Sequence, residues 1–251
     1  MYLDPTTVTI PSPLAAWQRE LEERTTAGGH RTYRTPDGAW LPSVTSVLKA
    51  TEIESPELAA WRERQSAHDL AEVEALRDEG CARGSVVHDL VEGSLVARQT
   101  PGASRAKPAS PWWAWISPAL RMVDHLHASE LAVYHPGLGY AGRLDGLVSW
   151  CGTVAVSDWK TKRAKIDPKT GRPRRPKREW LLHHHEQIVA YVDALNAMGV
   201  TVGGEPVRAG VLVVAIEGSP KPVIHELGEL ELGQARERFH AKLDRYYLGA
   251  A

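Results

Sequence analysis

The chain has 251 residues, with 43% hydrophobic and 24% charged side chains and a formal net charge of −1. These values are ordinary for a soluble globular protein, and the length suffices for one large hydrophobic core. No apolar run is long enough to span a membrane, and the first residues lack the pattern of a signal or transit peptide, so we expect a cytoplasmic protein without a membrane partner. Two cysteines, Cys81 and Cys151, are too few for a disulfide framework or for a cysteine-held iron–sulfur cluster.

The net charge conceals an uneven distribution. Residues 52–79 are rich in acids, whereas nine lysines and arginines lie between positions 162 and 178. This second segment, called the basic loop below, also contains three prolines and a glycine, which predicts an irregular and exposed chain. Such a concentration of positive charge favours a phosphate-binding surface, although a merely solvated loop has the same composition. The expected phosphate contacts are Arg172, Arg174, Arg175, Lys177 and Arg178.

Near the N-terminus, the turn signal Pro36-Asp37-Gly38 separates two short extended runs and predicts a β-hairpin. Ser43 follows the hairpin and is a candidate N-cap for a helix. A second helix start is expected at Ser55, where a cap residue precedes a proline and an acid. Gly80 and Gly84 are expected to interrupt the helical segment that runs from there.

A further helix is predicted to carry His88 and Glu92 one turn apart. Its apolar stripe consists of Val87, Val91 and Leu95, and the two polar residues lie at the edge of that stripe. A lone histidine in such a position is usually a core residue. A role as a metal ligand therefore depends on which other motifs the chain contains.

The second half of the chain alternates between strands and helices. A helix is expected from Trp112 toward His127, and three strands that form an antiparallel meander follow it. Beyond the basic loop, the pattern predicts a long helix, two late strands and a closing amphipathic helix. The expected meander strands are residues 130–135, 140–150 and 153–159, and the expected helices are residues 180–198 and 229–248.

The last strand of the meander leads into Asp158-Trp159-Lys160. Residues two apart on a strand point to the same face, so Asp158 and Lys160 project together. A carboxylate and an ammonium side by side can hold a metal ion and position a nucleophilic water molecule. The simpler interpretation is a surface ion pair, and the other motifs decide between the two.

Four motifs follow one another along the chain: His88 on a helix, Asp145 on a strand, Asp158-Trp159-Lys160 on the next strand, and Gln187 with Tyr191 on one helical face. This order resembles the RecB-type branch of the PD-(D/E)XK nuclease superfamily over roughly residues 80–195. The stretch from Leu41 to Leu48 contains Pro-Ser-Val-Thr and resembles the N-terminal signature of the mitochondrial genome maintenance exonuclease family and its phage relatives.

The resemblance implies an α/β (α+β) fold of the PD-(D/E)XK nuclease type, with a central mixed sheet flanked by helices. It also implies a single nuclease domain over residues 1–251, with an N-terminal hairpin and helical extension (residues 1–80) and a nuclease core (residues 81–251). Some relatives in this branch hold an iron–sulfur cluster with four cysteines, which this chain does not have.

A Mg²⁺ or Mn²⁺ site is also implied, because such hard cations prefer carboxylates, carbonyls and water. The implied metal ligands are His88, Asp145, Asp158 and the backbone carbonyl of Trp159. Asp145, Asp158 and Lys160 are the implied catalytic residues, with Lys160 orienting or deprotonating the attacking water. The implied substrate-binding residues near the metal are Gln187, Tyr191, Arg143 and Ser43, and the supporting residues are Glu92, Glu130 and Thr161. Glu130 matches an acid common in RecB-type relatives, although a structural role is favoured for it.

The expected function is that of a DNA exonuclease acting at single-stranded ends in bacterial or phage recombination and repair. No ATP-binding Gly-rich Lys-Ser/Thr loop is present, so a helicase or recombinase partner would be a separate protein. Three alternatives stay open. The first is a structure-specific endonuclease or an RNase on the same fold, and the second is a catalytically silent DNA-binding module, which the intact motifs disfavour. The third is another type of metal enzyme using His183, His184 and His185, although adjacent helical residues point in different directions.

Overall fold

The computed structural model describes residues 1–52, 60, 67–103 and 108–249. Its centre is a six-stranded sheet. In spatial order, the strands of this sheet are β1 (Tyr2–Leu3), β6 (Val123–His135), β7 (Tyr140–Trp150), β8 (Thr153–Lys162), β10 (Gly210–Ile216) and β11 (Val223–Leu227). The remaining strands are β2 (Val8–Thr9), β3 (Glu23–Thr25), β4 (Arg31–Arg34), β5 (Trp40–Pro42) and β9 (Thr201–Val202).

The central sheet is mixed, as predicted. Strands β6, β7 and β8 form the predicted antiparallel meander. Strand β10 then lies parallel to β8, and β11 returns antiparallel to β10. The parallel step requires a crossover, which the chain makes through the helix that follows the basic loop.

Helices cover both faces of the sheet and so confirm the predicted layered fold. They are α1 (Ser12–Arg19), α2 (Val44–Ala50), α3 (Ala67–Gln99), α4 (Pro111–Leu120), α5 (Leu182–Ala197) and α6 (Glu229–Gly249). Strand β10 shows why two layers form: Leu212 and Val214 pack in one hydrophobic core with residues of α2, α5 and α6, whereas Val211 and Val213 pack in a second core with residues of α3 and α4. Alternate residues of a strand buried on both faces produce this division.

The N-terminal hairpin forms as predicted and gains a third strand. Strands β3, β4 and β5 make a small antiparallel sheet, and Ser43 caps α2 by accepting a hydrogen bond from the backbone N–H of Ser46 at 3.0 Å. An isolated bridge between Ser43 and Ala141 joins this unit to β7. The hairpin is thereby placed against the part of β7 that carries the predicted site.

Two expectations about helix boundaries are wrong. Helix α3 runs without interruption from Ala67 to Gln99, so Gly80 and Gly84 do not break it. A helical glycine costs only about 1 kcal/mol relative to alanine, and the buried stripe of Val87, Val91 and Leu95 holds the helix against the sheet. The helix start expected at Ser55 lies outside the described residues.

The second wrong boundary is that of α4, which ends at Leu120 instead of continuing toward His127. Strand β6 begins at Val123, seven residues before its predicted start at Glu130. Its early residues pair with the far end of β7, from Val123 opposite Trp150 onward. The 11-residue β7 needs a long partner to satisfy its backbone hydrogen bonds, and this long-range demand overrides the local helical pattern.

The basic loop contains only an isolated bridge between Ile166 and Pro173 before a short 3₁₀ helix, Arg178–Leu181. Its arginines are exposed, as the composition predicts. Across the described part of the chain, no helix is long and apolar enough to cross a membrane.

Candidate active site

An open cleft of about 600 Å³ lies over the centre of the sheet. Its floor is formed by β7 and β8. Helix α3 forms one wall, the N-terminal hairpin forms another, and α5 contributes Gln187 and Tyr191. The cleft is therefore built from parts of the chain that lie far apart in sequence.

The floor brings Asp145, Asp158 and Lys160 together. Strands β7 and β8 pair with Gly146 opposite Ser157, which sets the two aspartates on neighbouring strands. The Nζ atom of Lys160 lies 2.7 Å from Asp158 Oδ1 and 3.8 Å from Asp145 Oδ2. The backbone N–H of Trp159 donates to Asp145 Oδ2 at 3.0 Å. The predicted shared face of Asp158 and Lys160 is thus present, and Asp145 lies beside it.

Burial controls the charges on this floor. The side chain of Asp158 is 1% exposed, and burial raises its pKa to about 6, although the neighbouring Lys160 ammonium lowers it. Burial by itself would lower the pKa of Lys160, but the carboxylates of Asp158 and Asp145 raise it above its usual value. Lys160 is therefore an ammonium at neutral pH.

Helix α3 delivers His88 to the same point. Its Nε2 atom lies 2.7 Å from the backbone oxygen of Trp159 and 3.5 Å from Asp145 Oδ2. The apolar stripe of α3 that packs on the sheet fixes the height of this helix above the strands. His88 is consequently a polar residue at the cleft and not a core histidine.

Glu130 is the fourth polar residue at this point. It has a positive φ of 51° in the middle of β6, between the pairs Ser129 with Gly146 and Leu131 with Leu144. A left-handed conformation in a strand is strained for a residue with a Cβ atom, and such strain is concentrated at functional sites. Burial raises the pKa of Glu130, and the nearby Asp145 carboxylate raises it further.

His88, Glu130 and Asp145 each offer one ligand atom, and these atoms lie within 4.8 Å of one another. This combination of one imidazole and two carboxylates suits Mg²⁺ or Mn²⁺. Asp158 Oδ2 is buried and has no hydrogen-bond partner among the described residues, which is the condition expected of an oxygen that serves a cation. The residues present therefore fit a divalent metal ion.

Helix α5 supplies the predicted polar pair at the cleft. Gln187 Nε2 donates to the hydroxyl of Tyr191 at 3.3 Å, and burial raises the pKa of Tyr191 well above its usual value. The Tyr191 ring lies directly on β7, since a Cβ atom on Gly142 would be 2.6 Å from its Cε1. Glycine at position 142 is what permits this close approach.

The other predicted residues divide into two groups. Ser43, Arg143 and Thr161 line the cleft, whereas Glu92 accepts a hydrogen bond from the Ser129 hydroxyl and is not among the described lining residues. None of the five predicted basic-loop residues is among them either. Within the loop, Arg174 pairs with Asp167 at 3.2 Å.

Several cleft residues do not stand out in the sequence pattern. Arg31, Tyr33 and Thr45 line the hairpin wall, and Gly80 and Gly84 line the α3 wall. The alternation Arg31-Thr32-Tyr33 places Arg31 and Tyr33 on one strand face, which is a readable signal. For the two glycines, the local pattern indicates a helix break and carries no signal of a role in the cleft.

The three consecutive histidines do not converge. His185 is buried and its Nε2 atom lies 2.9 Å from Nδ1 of His225, whereas His183 is exposed. Within residues 1–52, 67–103 and 108–249, the group of side chains that could hold a metal ion consists of His88, Glu130 and Asp145. The geometry therefore does not favour a metal enzyme centred on the histidine triplet.

An aspartate on one strand, an Asp-X-Lys motif on the next and a histidine beside them resemble the site of a PD-(D/E)XK-type nuclease, and comparison with known proteins supports this resemblance. The chain is 29% identical over 189 residues to mitochondrial genome maintenance exonuclease 1 of Mus musculus, and 29% identical over 186 residues to that of Homo sapiens. Each match covers 72% of this chain and 51% of the relative, so the chain spans about half the length of the curated relatives it matches. No family model matches the chain.

Among solved structures, an alkaline exonuclease from Laribacter hongkongensis matches with 14% identity and a TM-score of 0.31, over 83% of this chain and 92% of that one.

Proposed function

We propose that this protein is a Mg²⁺- or Mn²⁺-dependent deoxyribonuclease that acts as an exonuclease at single-stranded DNA ends. The observation that carries the proposal is the convergence of His88, Glu130 and Asp145 beside the Asp158–Lys160 pair. The similarity to two exonucleases supports the same reaction class. Three consecutive strands and the more distant helix α3 contribute to this one point, and packing alone does not require such a concentration of polar groups.

His88, Glu130, Asp145 and Asp158 would hold the ion, and the carbonyl oxygen of Trp159 lies beside His88 as a further ligand. When bound, a divalent ion offsets the negative charge that develops on the phosphate and favours ionisation of a coordinated water molecule. His88 would need its Nε2 unprotonated for this purpose, and its proton would then reside on Nδ1. Glu130 is included in the proposed ligand set because its carboxylate lies within 4.8 Å of the ligand atoms of His88 and Asp145.

Lys160 is proposed to orient the attacking water. Its ammonium is held by Asp158 at 2.7 Å and faces Asp145 at 3.8 Å, so it remains within reach of both carboxylates at the edge of the cleft. As an ammonium it can donate a hydrogen bond to water or to a phosphate oxygen. The two carboxylates thus position the lysine as well as the cation.

The substrate is proposed to be held by neighbouring polar groups. Gln187 and Tyr191 lie on one side of the cleft and Arg143 on the hairpin side, where each can reach a phosphate oxygen. The basic loop extends the positive surface from the end of β8, directly after the cleft residue Thr161. A separate helicase or recombinase would supply single-stranded ends in the cytoplasm of a bacterial or phage-infected cell.

Digestion of end-labelled single-stranded DNA tests the proposal. We expect release of short products with Mg²⁺ or Mn²⁺ and no cleavage in EDTA. Separate reactions with DNA labelled at the 5′ end and at the 3′ end give the polarity of digestion. Absence of cleavage with either ion across neutral pH would contradict the proposed activity.

Three further substrates separate the alternatives. Circular single-stranded DNA should resist an exonuclease and be cut by an endonuclease. RNA of the same sequence reports an RNase, and a forked duplex reports a structure-specific enzyme. Tight DNA binding without cleavage of any substrate would identify a silent binding module.

A further inference from the structure

Two arginines face the cleft from different elements and share one carboxylate. Arg31 on β4 and Arg143 on β7 both line the cleft. Glu23 on β3 lies between them, with Oε1 at 3.4 Å from Arg31 Nε and Oε2 at 3.6 Å from Arg143 Nη2. The two guanidinium groups therefore share the carboxylate of Glu23 on this wall.

Neither guanidinium is saturated with hydrogen bonds. Arg143 Nε is buried without a hydrogen-bond partner in the described part of the chain, and the second carboxylate near this side chain, that of Glu130, is 4.0 Å away. The Arg31 and Arg143 side chains remain 46% and 38% exposed. The exposed N–H groups of these two side chains can donate hydrogen bonds to a ligand in the cleft.

Tyr33 lies on the same face of β4 as Arg31. Its side chain is 1% exposed, and burial raises the pKa of its hydroxyl although the nearby Arg31 guanidinium lowers it. A guanidinium held on one side by a rigid buried ring and on the other by Glu23 has given up much of its rotamer freedom before a ligand arrives. This preorganisation distinguishes Arg31 from an ordinary surface arginine.

The charge of the cleft indicates which kind of ligand the two arginines bind. Glu130 and Asp145 line the cleft beside the buried carboxylate of Asp158, and their negative charge, which the Lys160 ammonium offsets only in part, repels a nucleic-acid backbone. Guanidinium groups bind phosphate through parallel N–H donors, which matches the geometry of two adjacent oxygens. A phosphate is therefore the anion that fits a two-arginine wall above a metal-binding floor.

We propose that Arg31 and Arg143, positioned by Glu23, form a phosphate-binding pair that holds a phosphate of single-stranded DNA next to the bond to be cut. This inference rests on the proposed function and deepens it by naming how the backbone is held. The bound group is either an internal phosphodiester or a terminal phosphate. Arg31 belongs to the hairpin, so the hairpin becomes part of the substrate site and not merely a structural extension.

The hairpin contains a matched control. Arg34 lies on the same strand as Arg31 and is 47% exposed, with a carboxylate partner, Glu22, at 2.7 Å. Arg34 faces a different depression, lined by Trp17 and Glu20 among others, and is not among the described residues of the cleft. Arg31→Ala and Arg34→Ala remove the same charge from opposite faces of one strand.

The experiment measures binding of single-stranded DNA by fluorescence anisotropy in EDTA, so that no cleavage intervenes, across a series of KCl concentrations. We expect Arg31→Ala to weaken binding about tenfold or more, as removal of a charge-assisted hydrogen bond does, and to reduce the salt slope by roughly 0.7. Arg34→Ala should change affinity by less than about twofold, as an exposed charge away from the ligand does. Arg31→Lys, which retains charge but removes the planar donors, should recover only part of the affinity.

The outcomes separate this inference from the proposed function. Equal weakening by Arg31→Ala and Arg34→Ala would overturn the phosphate-binding pair even if the wild-type protein cleaves DNA. If the wild-type protein binds DNA but does not cleave it, the nuclease proposal fails, and the comparison of Arg31→Ala with Arg34→Ala still tests the phosphate-binding pair. If the wild-type protein binds no DNA, both the proposed function and the phosphate-binding pair are overturned. Oligonucleotides with and without terminal phosphates identify the source: an Arg31 effect confined to phosphorylated ends indicates a terminal phosphate, and an equal effect indicates a phosphodiester. Thermal melting of each variant verifies that the fold is retained.

Discussion

The floor of the cleft and the basic loop are both dense in charge, but they differ in how that charge is held. On the floor, Asp158 is 1% and Lys160 22% exposed, and both belong to a central strand of the sheet. In the loop, Arg174 and Arg178 are 56% and 57% exposed and are paired only at 3.2 and 4.0 Å. The same residue types therefore serve two different physical purposes.

This difference shows that the floor of the cleft fixes the positions of the reacting groups, whereas the basic loop attracts the substrate. Buried charges on a rigid sheet keep a fixed geometry, which chemistry at a phosphorus atom requires. Exposed charges on an irregular loop are screened by salt and contribute about 0–1 kcal/mol per ion pair, but together they attract a polyanion. Changes on the floor should alter the chemical step, and changes in the loop should alter affinity.

The largest effect is expected from Lys160→Ala, which removes the ammonium from the floor. We expect cleavage at saturating DNA to fall by about 10²–10⁴-fold, the usual contribution of a group that orients or protonates the reacting atoms. DNA affinity in EDTA should change little. Single-turnover cleavage of labelled single-stranded DNA gives the rate, and near-normal turnover of this variant would remove the proposed mechanism.

The second prediction concerns the basic loop. Replacement of Arg172, Arg174, Arg175, Lys177 and Arg178 by glutamine should flatten the salt dependence of DNA binding, by roughly 0.7 for each phosphate group that the variant no longer binds. Cleavage at saturating DNA should be retained, because none of the five is among the described residues of the cleft. Sequence preference should also be unchanged, since phosphates carry no base identity. An unaltered salt slope would show that the loop is only a solvated surface.

The third prediction separates the two regions by metal binding. Mn²⁺ at 100 times its dissociation constant should stabilise the wild-type fold by about 2.7 kcal/mol, measured as a rise in melting temperature over an EDTA sample. Asp145→Asn should abolish most of this rise. Asp167→Asn is the control, because Asp167 is an acid of the basic loop that is paired with Arg174. Equal stabilisation of both variants would place the metal elsewhere.

A smaller effect is expected from Gly142→Ala. The added Cβ atom would lie 2.6 Å from Cε1 of Tyr191, whose side chain is buried, so overpacking should cost about 1–3 kcal/mol. Displacement of Tyr191 should also slow cleavage. Gly93→Ala on α3 is the control, since its methyl group meets nothing within 4 Å and should stabilise the helix by up to about 1 kcal/mol. Urea denaturation of both variants measures whether the free energy of unfolding falls in Gly142→Ala and rises in Gly93→Ala.

A last effect is a decrease of stability in mild acid, which we expect to come from the sheet and not from the loop. Burial lowers the pKa of His127 from 6.5 to about 4, so the folded protein keeps this imidazole neutral while the unfolded chain protonates it. The stability it contributes is present above pH 6.5 and is lost as the pH falls toward 4. Melting temperatures should decline less over this range in His127→Gln. The five-fold loop variant should follow the wild type, because lysine and arginine do not titrate there.

The sequence by itself was sufficient for the features that depend on local geometry. The period of two along a strand placed Asp158 and Lys160 on one face, and the turn at Pro36-Asp37-Gly38 predicted the hairpin. Helical spacing likewise joined Gln187 to Tyr191. These relations survive in any fold that keeps the element, because backbone dihedral angles determine them within a few residues.

The tertiary structure alone decided which elements meet at the cleft. Glu130 faces Asp145 because β6 pairs with β7 along its whole length and adopts a positive φ at that residue, which no local pattern predicts. Arg31 meets Arg143 because a bridge at Ser43 sets the hairpin against β7. Gly80 and Gly84 became cleft-lining residues of an unbroken helix once the packing of α3 on the sheet outweighed their poor helical propensity. Long-range strand pairing and packing energies determine which elements meet at the cleft. These energies depend on the whole chain and not on any single segment of it.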